Sequence, residues 1–234
     1  MVLSGLQKLT LLDFPGHTAC TVFTGGCNLR CPFCHNAVLV TEVQDIETIP
    51  EEEFFSFLNK RKGLLDGVAI TGGEPLLQKD IRPFIEKVRA LGYKVKLDTN
   101  GFFPETLMEL VNAGLIDYVA VDIKNSPARY AETTGVPGLD LAPLKTSIDF
   151  LMQGRVDYEF RTTIVRAFHT EKEIDEIGSW IRGAKNWYLQ NFADSGNLIG
   201  GIDPEGLTAV PKEELLAMGK KAEGYVQHAA VRGI

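Results

Sequence analysis

Short apolar runs alternate along the chain with longer stretches in which apolar residues recur every three or four positions. Cys20-Thr21-Val22-Phe23-Thr24 is the first run that reads as a strand, and it leads into Gly25-Gly26. Val68 to Thr71 is the second, ending at Gly72-Gly73, and Lys94–Asp98, Tyr118–Asp122, Tyr158–Val165 and the weaker Trp187–Gln190 follow. Runs of this length, rich in β-branched and aromatic residues and bounded by glycine or turn residues, are the strand signal. Helices are predicted between them. One opens at Pro50-Glu51-Glu52-Glu53, where proline and acids suit the missing N–H bonds and the positive helix end. Ile81, Phe84, Ile85, Val88 and Leu91 repeat at helical spacing with Gly92 as a stop. Pro104–Asn112, Leu144–Met152, Glu171–Ile181 and Pro211–Lys221 repeat the pattern.

Strand–helix alternation repeated about six times predicts right-handed crossovers and a mostly parallel α/β sheet with helices outside it. A closed eight-unit barrel usually needs ~250 residues. The 234 residues here predict one domain over 1–234, a partial (β/α)6 barrel open on one side. A flat doubly wound sheet is the alternative, which periodicity does not separate. In either case the site is expected at the strand carboxyl ends and the loops after them.

Hydrophobic residues make up 44% of the chain and charged residues 24%, which excludes a disordered chain. The net charge of -7 argues against broad phosphate neutralisation, so a nucleic-acid partner is not expected. The first residues lack a charged segment followed by a long apolar stretch, and no apolar run approaches membrane-spanning length. Cys20, Cys27, Cys31 and Cys34 are crowded near the amino terminus, whereas a secreted disulfide scaffold spreads its cysteines. The expectation is a metal site in a reducing cytoplasm.

Cys27-Asn28-Leu29-Arg30-Cys31-Pro32-Phe33-Cys34 carries the strongest chemical signal. Three thiolates on one tight loop can hold three corners of an iron–sulfur cube. The fourth iron then keeps open coordination sites that a small molecule can chelate. The alternative is structural zinc, with Cys20 or His35 as a fourth ligand. Cys20 begins an apolar strand and reads as a core residue. The C-x3-C spacing also departs from the C-x2-C knuckles of common zinc motifs.

The loop, with Phe33 before its last cysteine, resembles that of the radical S-adenosylmethionine enzymes. Gly5-Leu6-Gln7-Lys8, Asp13-Phe14-Pro15-Gly16 and Cys34-His35-Asn36 extend the resemblance to the glycyl-radical-enzyme activating branch. Within it the chain is most similar to the anaerobic ribonucleoside-triphosphate reductase activating proteins. The resemblance implies a [4Fe-4S] cluster on Cys27, Cys31 and Cys34 that binds S-adenosylmethionine, with Phe33 packed near the adenine and His35 beside it. It also implies reductive cleavage to a 5′-deoxyadenosyl radical, which takes a hydrogen from a glycine of the partner. The implied helpers are that glycyl radical enzyme and a flavodoxin- or ferredoxin-type electron donor.

Other strand ends add candidates. Thr71-Gly72-Gly73-Glu74-Pro75 resembles the family's GGE motif, which contacts the methionine amino group; as a bare pattern it is also an ordinary strand-to-helix turn. Asp98-Thr99 and Asp122-Ile123-Lys124 end the third and fourth strands. By resemblance Asp98, Thr99 and Asp122 would hold a monovalent cation, and Asp98 and Lys124 would touch the cofactor. A salt bridge among Asp98, Asp122 and Lys124 is the plain alternative. Arg161, a charge within the fifth strand, needs a partner if buried, and by resemblance reaches the cofactor. Gln190 and Phe192 are expected at the adenine or substrate opening. His169 reads as a helix cap or surface residue. The competing functions are a radical enzyme acting on a small molecule, as the 7-carboxy-7-deazaguanine synthases do, an activase of pyruvate formate-lyase type, and a structural zinc protein.

Overall fold

The structure is a computed structural model describing residues 1–194, 196–200 and 207–234. Among them run eight strands: β1 (Leu3–Thr10), β2 (Ala19–Thr24), β3 (Gly67–Gly72), β4 (Lys94–Thr99), β5 (Tyr118–Asp122), β6 (Asp157–Ile164), β7 (Asn186–Asn191) and β8 (His228–Arg232). The helices are α1 (Ala37–Thr41), α2 (Glu51–Lys60), α3 (Ile81–Ala90), α4 (Pro104–Asn112), α5 (Tyr130–Thr134), α6 (Ala142–Leu151), α7 (Glu171–Trp180) and α8 (Lys212–Ala222). All strands lie in one sheet in chain order; β1 is antiparallel to β2 and every later neighbour is parallel.

Side chains alternate across each strand, and here the two faces have opposite chemistry. Cys20, Val22, Val68, Ile70, Val95, Leu97, Val119, Val121, Phe160 and Leu189 point to the helices and form one buried core with Phe54, Phe84, Leu107, Ile148 and Ile177. Full burial of such a side chain stabilises the fold by roughly 1.5–3 kcal/mol. The opposite face carries Thr21, Thr71, Asp98, Asp122, Arg161, Thr163 and Gln190, which line a cavity. Helix ends follow local chemistry: Thr170 and Glu173 form a reciprocal capping box at the start of α7.

The cavity settles the curvature of the sheet. Gln7 of β1 and Gln190 of β7 both line it. On a flat sheet six inter-strand steps would separate those strands by about 29 Å, at ~4.8 Å per step. The sheet is therefore curled into a partial barrel, open between β1 and β8, and not laid out flat. The six predicted strands are β2 to β7. The structure adds β1 and β8 at the two edges, which the apolar pattern does not announce: Leu3–Thr10 and His228–Arg232 hold few β-branched or aromatic residues.

Candidate active site

The cysteine loop leaves the carboxyl end of β2. Gly26 turns there with φ 86° and donates its N–H to Leu39 O at 2.8 Å. Cys34 N–H donates to Cys31 O at 3.0 Å, and Arg30 N–H reaches Thr134 O at 2.9 Å, fixing the loop against α5. The Leu29 N–H, at 3.4 Å, and the Asn100 side-chain amide, at 3.8 Å, both point at Cys27 Sγ. Cys27, Cys31 and Cys34 are free and line one cavity of about 380 Å³. Cys20 lies in the helix-facing core.

These thiols suit a cluster. Burial pushes the Cys31 thiol up to about 12, with Lys124 pulling the other way, so a bound metal is what would deprotonate it. Among the described residues no group of three His, Cys, Asp or Glu side chains could hold a single metal ion. Thiolates on a cubane each take their own iron and need not converge on one point. The donor set and its shared cavity therefore fit an iron–sulfur cluster.

Two glycines of the Thr71–Pro75 turn also line the cavity. Gly72 has φ 121°, open to glycine and strained for other residues. A Cβ on Gly73 would sit 2.0 Å from Gly26 O. This backbone approach is sealed by Gly73 N–H to Thr24 O and Glu74 N–H to Gly26 O, both 2.8 Å. Asn36 Nδ2 donates to Gly72 O at 2.8 Å. The glycines thus dock the turn onto the base of the cysteine loop. The Glu74 carboxylate is fully buried and does not line the cavity. It accepts from Thr99 Oγ1 at 2.7 Å, Asn100 N–H at 2.7 Å and Leu76 N–H at 3.0 Å. Burial outweighs these donors and raises its carboxyl to about 7. Asn100 Nδ2 then donates to Asn28 Oδ1 at 2.7 Å, completing a chain from the glycine turn through β4 to the cysteine loop.

The charged residues at the strand ends form a continuous ion-pair network. Arg161 spans both aspartates, with Nη1 3.0 Å from Asp98 Oδ2 and Nε 2.9 Å from Asp122 Oδ1. Lys124 Nζ lies 2.9 Å from Asp122 Oδ2, and Lys96 Nζ pairs with Asp98 Oδ1. Burial opposes ionisation of Asp122, but Arg161 and Lys124 beside it hold the carboxyl far below the usual range. Burial likewise opposes the Lys124 charge, and Asp122 overrides it and raises that pKa. The salt bridge weighed from sequence exists with Arg161 at its centre. Lys96 escaped the sequence reading, although Lys94, Lys96 and Asp98 alternate on one face of an otherwise apolar strand.

Phe33 lines the cavity and its ring lies 5.7 Å from that of Phe168. His35 also lines it and packs 5.6 Å from the Phe192 ring; Phe192 belongs to the buried cluster behind the loop. The polar Gln7, Asp13, Thr21, Asn36, Asn100 and Thr163 and the apolar Phe23, Leu29 and Val40 also line the cavity, none of them a site residue expected from sequence. His169 is neither a cap nor exposed: it is 1% exposed, and Thr170 caps α7. Its Nε2 is 2.9 Å from Lys124 O and its Nδ1 is 3.1 Å from Val165 N–H, so a neutral ring donates to the first and accepts from the second. Tyr130 OH, 3.2 Å from the Lys124 N–H and 3.3 Å from Asp122 O, braces the same segment.

An open, curled parallel sheet with three free cysteines on the loop after its first parallel strand, facing a polar interior, defines an iron–sulfur enzyme of the partial-barrel class. Residues 21–181 match the sequence model of the radical SAM superfamily, well over half the chain. The chain belongs to that superfamily, whose enzymes use a [4Fe-4S] cluster and S-adenosylmethionine. It is 32% identical over 240 residues to a protein of Methanocaldococcus jannaschii provisionally named as a glycyl-radical enzyme activating enzyme, covering 100% of this chain and 96% of that one. A 7-carboxy-7-deazaguanine synthase of Koribacter versatilis is 32% identical over 154 residues, 64% of this chain and 63% of that one. Among solved structures, Streptococcus suis SuiB bound to its precursor peptide SuiA superposes with a TM-score of 0.68 at 15% identity, over 91% of this chain and 48% of that one. The chain thus spans about half the length of that structure. No helix among the described residues is long and apolar enough to cross a membrane.

Proposed function

We propose that this chain is a radical S-adenosylmethionine activase that installs a glycyl radical on a partner enzyme, anaerobic ribonucleoside-triphosphate reductase. The observation that carries this reading is the match along the whole chain to a protein provisionally named as a glycyl-radical enzyme activating enzyme. Arg161 and Lys124 line the cavity and both already hold carboxylates. What remains on the walls includes amides and hydroxyls: Gln7, Asn36, Thr163 and Gln190. Amides and hydroxyls donate to and accept from an uncharged peptide backbone. That polar lining supports the same reading.

Cys27, Cys31 and Cys34 would hold the cluster, and Phe33, His35, Gly72, Gly73, Lys124, Arg161 and Gln190 would surround S-adenosylmethionine, with Phe192 packed behind His35. A cluster held there would supply the single electron that reductive cleavage of S-adenosylmethionine requires, the chemistry needed to remove a hydrogen atom from a glycine. The chain's own part is to fix the loop through Gly26, Gly73 and Asn100, to orient a carboxylate with Lys124 and Arg161, and to admit a peptide loop through the open side. Glu74 serves by holding Thr99 and Asn100 in place. A monovalent cation on Asp98, Thr99 and Asp122 finds its side-chain ligands already engaged and is left out of this reading. A flavodoxin- or ferredoxin-type protein in the cytoplasm is proposed as the electron donor, with no nucleic-acid partner.

The test is anaerobic. The chain is reconstituted with iron and sulfide, reduced, and given S-adenosylmethionine with the reductase. A glycyl doublet by electron spin resonance on the partner and release of 5′-deoxyadenosine are expected, and Cys31→Ala should give neither. The partial match to the deazaguanine synthase sets the second reading. Conversion of a pterin-like small molecule with no glycyl signal would replace the first reading with it.

A further inference from the structure

We propose that Lys96 is the resident cation of this site: its ammonium does from within the barrel what a bound monovalent metal ion would do for Asp98. Lys96 sits on β4 two residues before Asp98, so strand alternation places both side chains on the inner face. Its side chain is 1% exposed, unusual for a lysine without a task. The ammonium pairs with Asp98 Oδ1, while Asp98 Oδ2 takes Arg161 at 3.0 Å.

The other side chains that could hold such an ion are engaged too. Asp122 gives one oxygen to Arg161 and the other to Lys124, each at 2.9 Å. The Thr99 hydroxyl donates to Glu74 at 2.7 Å and accepts from Gly101 N–H at 3.1 Å. Lys96, Arg161 and Lys124 against Asp98 and Asp122 leave this network one positive charge in excess. A further cation entering it would meet like charge in a buried setting, where repulsion is weakly screened. The same excess suits an entering carboxylate. Lys96 is thus a positioning residue: it holds Asp98, Asp98 helps hold Arg161, and Arg161 faces the cavity.

The inference rests on reading this cavity as the S-adenosylmethionine site, but its test needs no partner enzyme, so a missing glycyl radical would not bear on it. The full chain, reconstituted and kept anaerobic, is melted in sodium, potassium and choline chloride at equal ionic strength. The wild type should melt at one temperature in all three salts. Lys96→Met frees an oxygen of Asp98 and should acquire a rise of about 2–4 °C in sodium or potassium over choline. Lys96→Arg should restore indifference, which a merely structural role would not predict. S-adenosylmethionine cleavage in the three salts should follow the same order. A wild type that melts higher in sodium or potassium than in choline overturns the proposal. A folded Lys96→Met that stays indifferent overturns it as well. If the methionine variant does not fold, Lys96→Gln is melted in its place and judged by the same two outcomes.

Discussion

Gly73→Ala should damage both the fold and the cysteine loop, by an amount the backbone geometry sets. An added Cβ would lie 2.0 Å from Gly26 O and 2.7 Å from Gly26 C, both rigid backbone atoms. Ordinary contact begins near 3.4 Å, so the two segments would have to part by about 1.4 Å. That movement takes the 2.8 Å bonds from Gly73 N–H to Thr24 O and from Glu74 N–H to Gly26 O out of range. Losing both and stranding their buried groups costs about 3–5 kcal/mol. A domain has only about 5–15 kcal/mol in all. Because Gly26 precedes Cys27, the iron bound per chain should fall as well. The control is Gly92→Ala, where φ is 91° and nothing lies within 4 Å of the new methyl. Strain alone costs about 1–2 kcal/mol there, and iron should be unaffected. Urea unfolding of the metal-free chain, read as a midpoint shift at constant slope, gives the first quantity; iron analysis after anaerobic reconstitution gives the second. If Gly73→Ala were no less stable than Gly92→Ala and bound full iron, the docking role assigned to these glycines would be refuted.

Other outcomes follow from the same contacts. His169, neutral and buried with its pKa lowered to about 4 from 6.5, contributes stability above pH 6.5 that is lost as pH falls towards 4, about 3 kcal/mol in all. Glu74, raised to about 7 from 4.5, acts in the opposite sense: its contribution is full below pH 4.5 and lost as pH rises through 7. The two slopes oppose each other between pH 4.5 and 6.5, so His169→Gln should unmask a stability that climbs as pH falls from 7 to 4.5 in urea titrations. Arg161→Met leaves Asp98 and Asp122 facing each other without their shared partner, and should cost about 3 kcal/mol in urea unfolding. Cys20→Ala should keep full iron after reconstitution, because Cys20 packs among helix-facing core residues, while Cys31→Ala should lose the intact cluster.

The sequence pattern carries the middle of the sheet well. β2 to β7 are each apolar on the helix side, and all but β6 are marked by a run that ends at or leads into glycine, aspartate or asparagine at the site. The cysteine loop was legible for a similar reason: its spacing is local, and local spacing survives folding. β1 was not legible, because Ser4, Gly5, Gln7 and Lys8 interrupt its pattern and its pairing with β2 is irregular in two places. β8 was hidden by its brevity. Contacts between distant segments were the other loss. Nothing in Thr71–Pro75 foretells that Gly73 meets Gly26, or that the Glu74 carboxylate turns to Asn100. His169 looked like a helix start because Thr170 and the acids after it are one; its ring nevertheless reaches Lys124 O, a contact made across 45 residues.

The barrel interior explains why charge was harder to place than apolarity. A strand with its helix side buried and its inner side polar reads as an apolar run with stray charges, and each stray charge alone suggests a surface. Lys96, Glu159 and Arg161 are such residues, yet Lys96 and Glu159 are 1% exposed. Glu159 is held by Arg232 at 3.0 and 3.1 Å and by Tyr118 OH at 3.1 Å, so a second ion pair links β6 to the edge strand β8. Charges buried this way are tolerable only in pairs, and removing one partner costs more than the pair contributes. That condition also shapes how a ligand can enter. A carboxylate that draws Lys124 from Asp122 leaves Asp122 held by Arg161, and Arg161 keeps Asp98, which Lys96 still neutralises. The network can therefore release one cation to a ligand without stranding any carboxylate, and Lys124, at its outer end, is the one it can release.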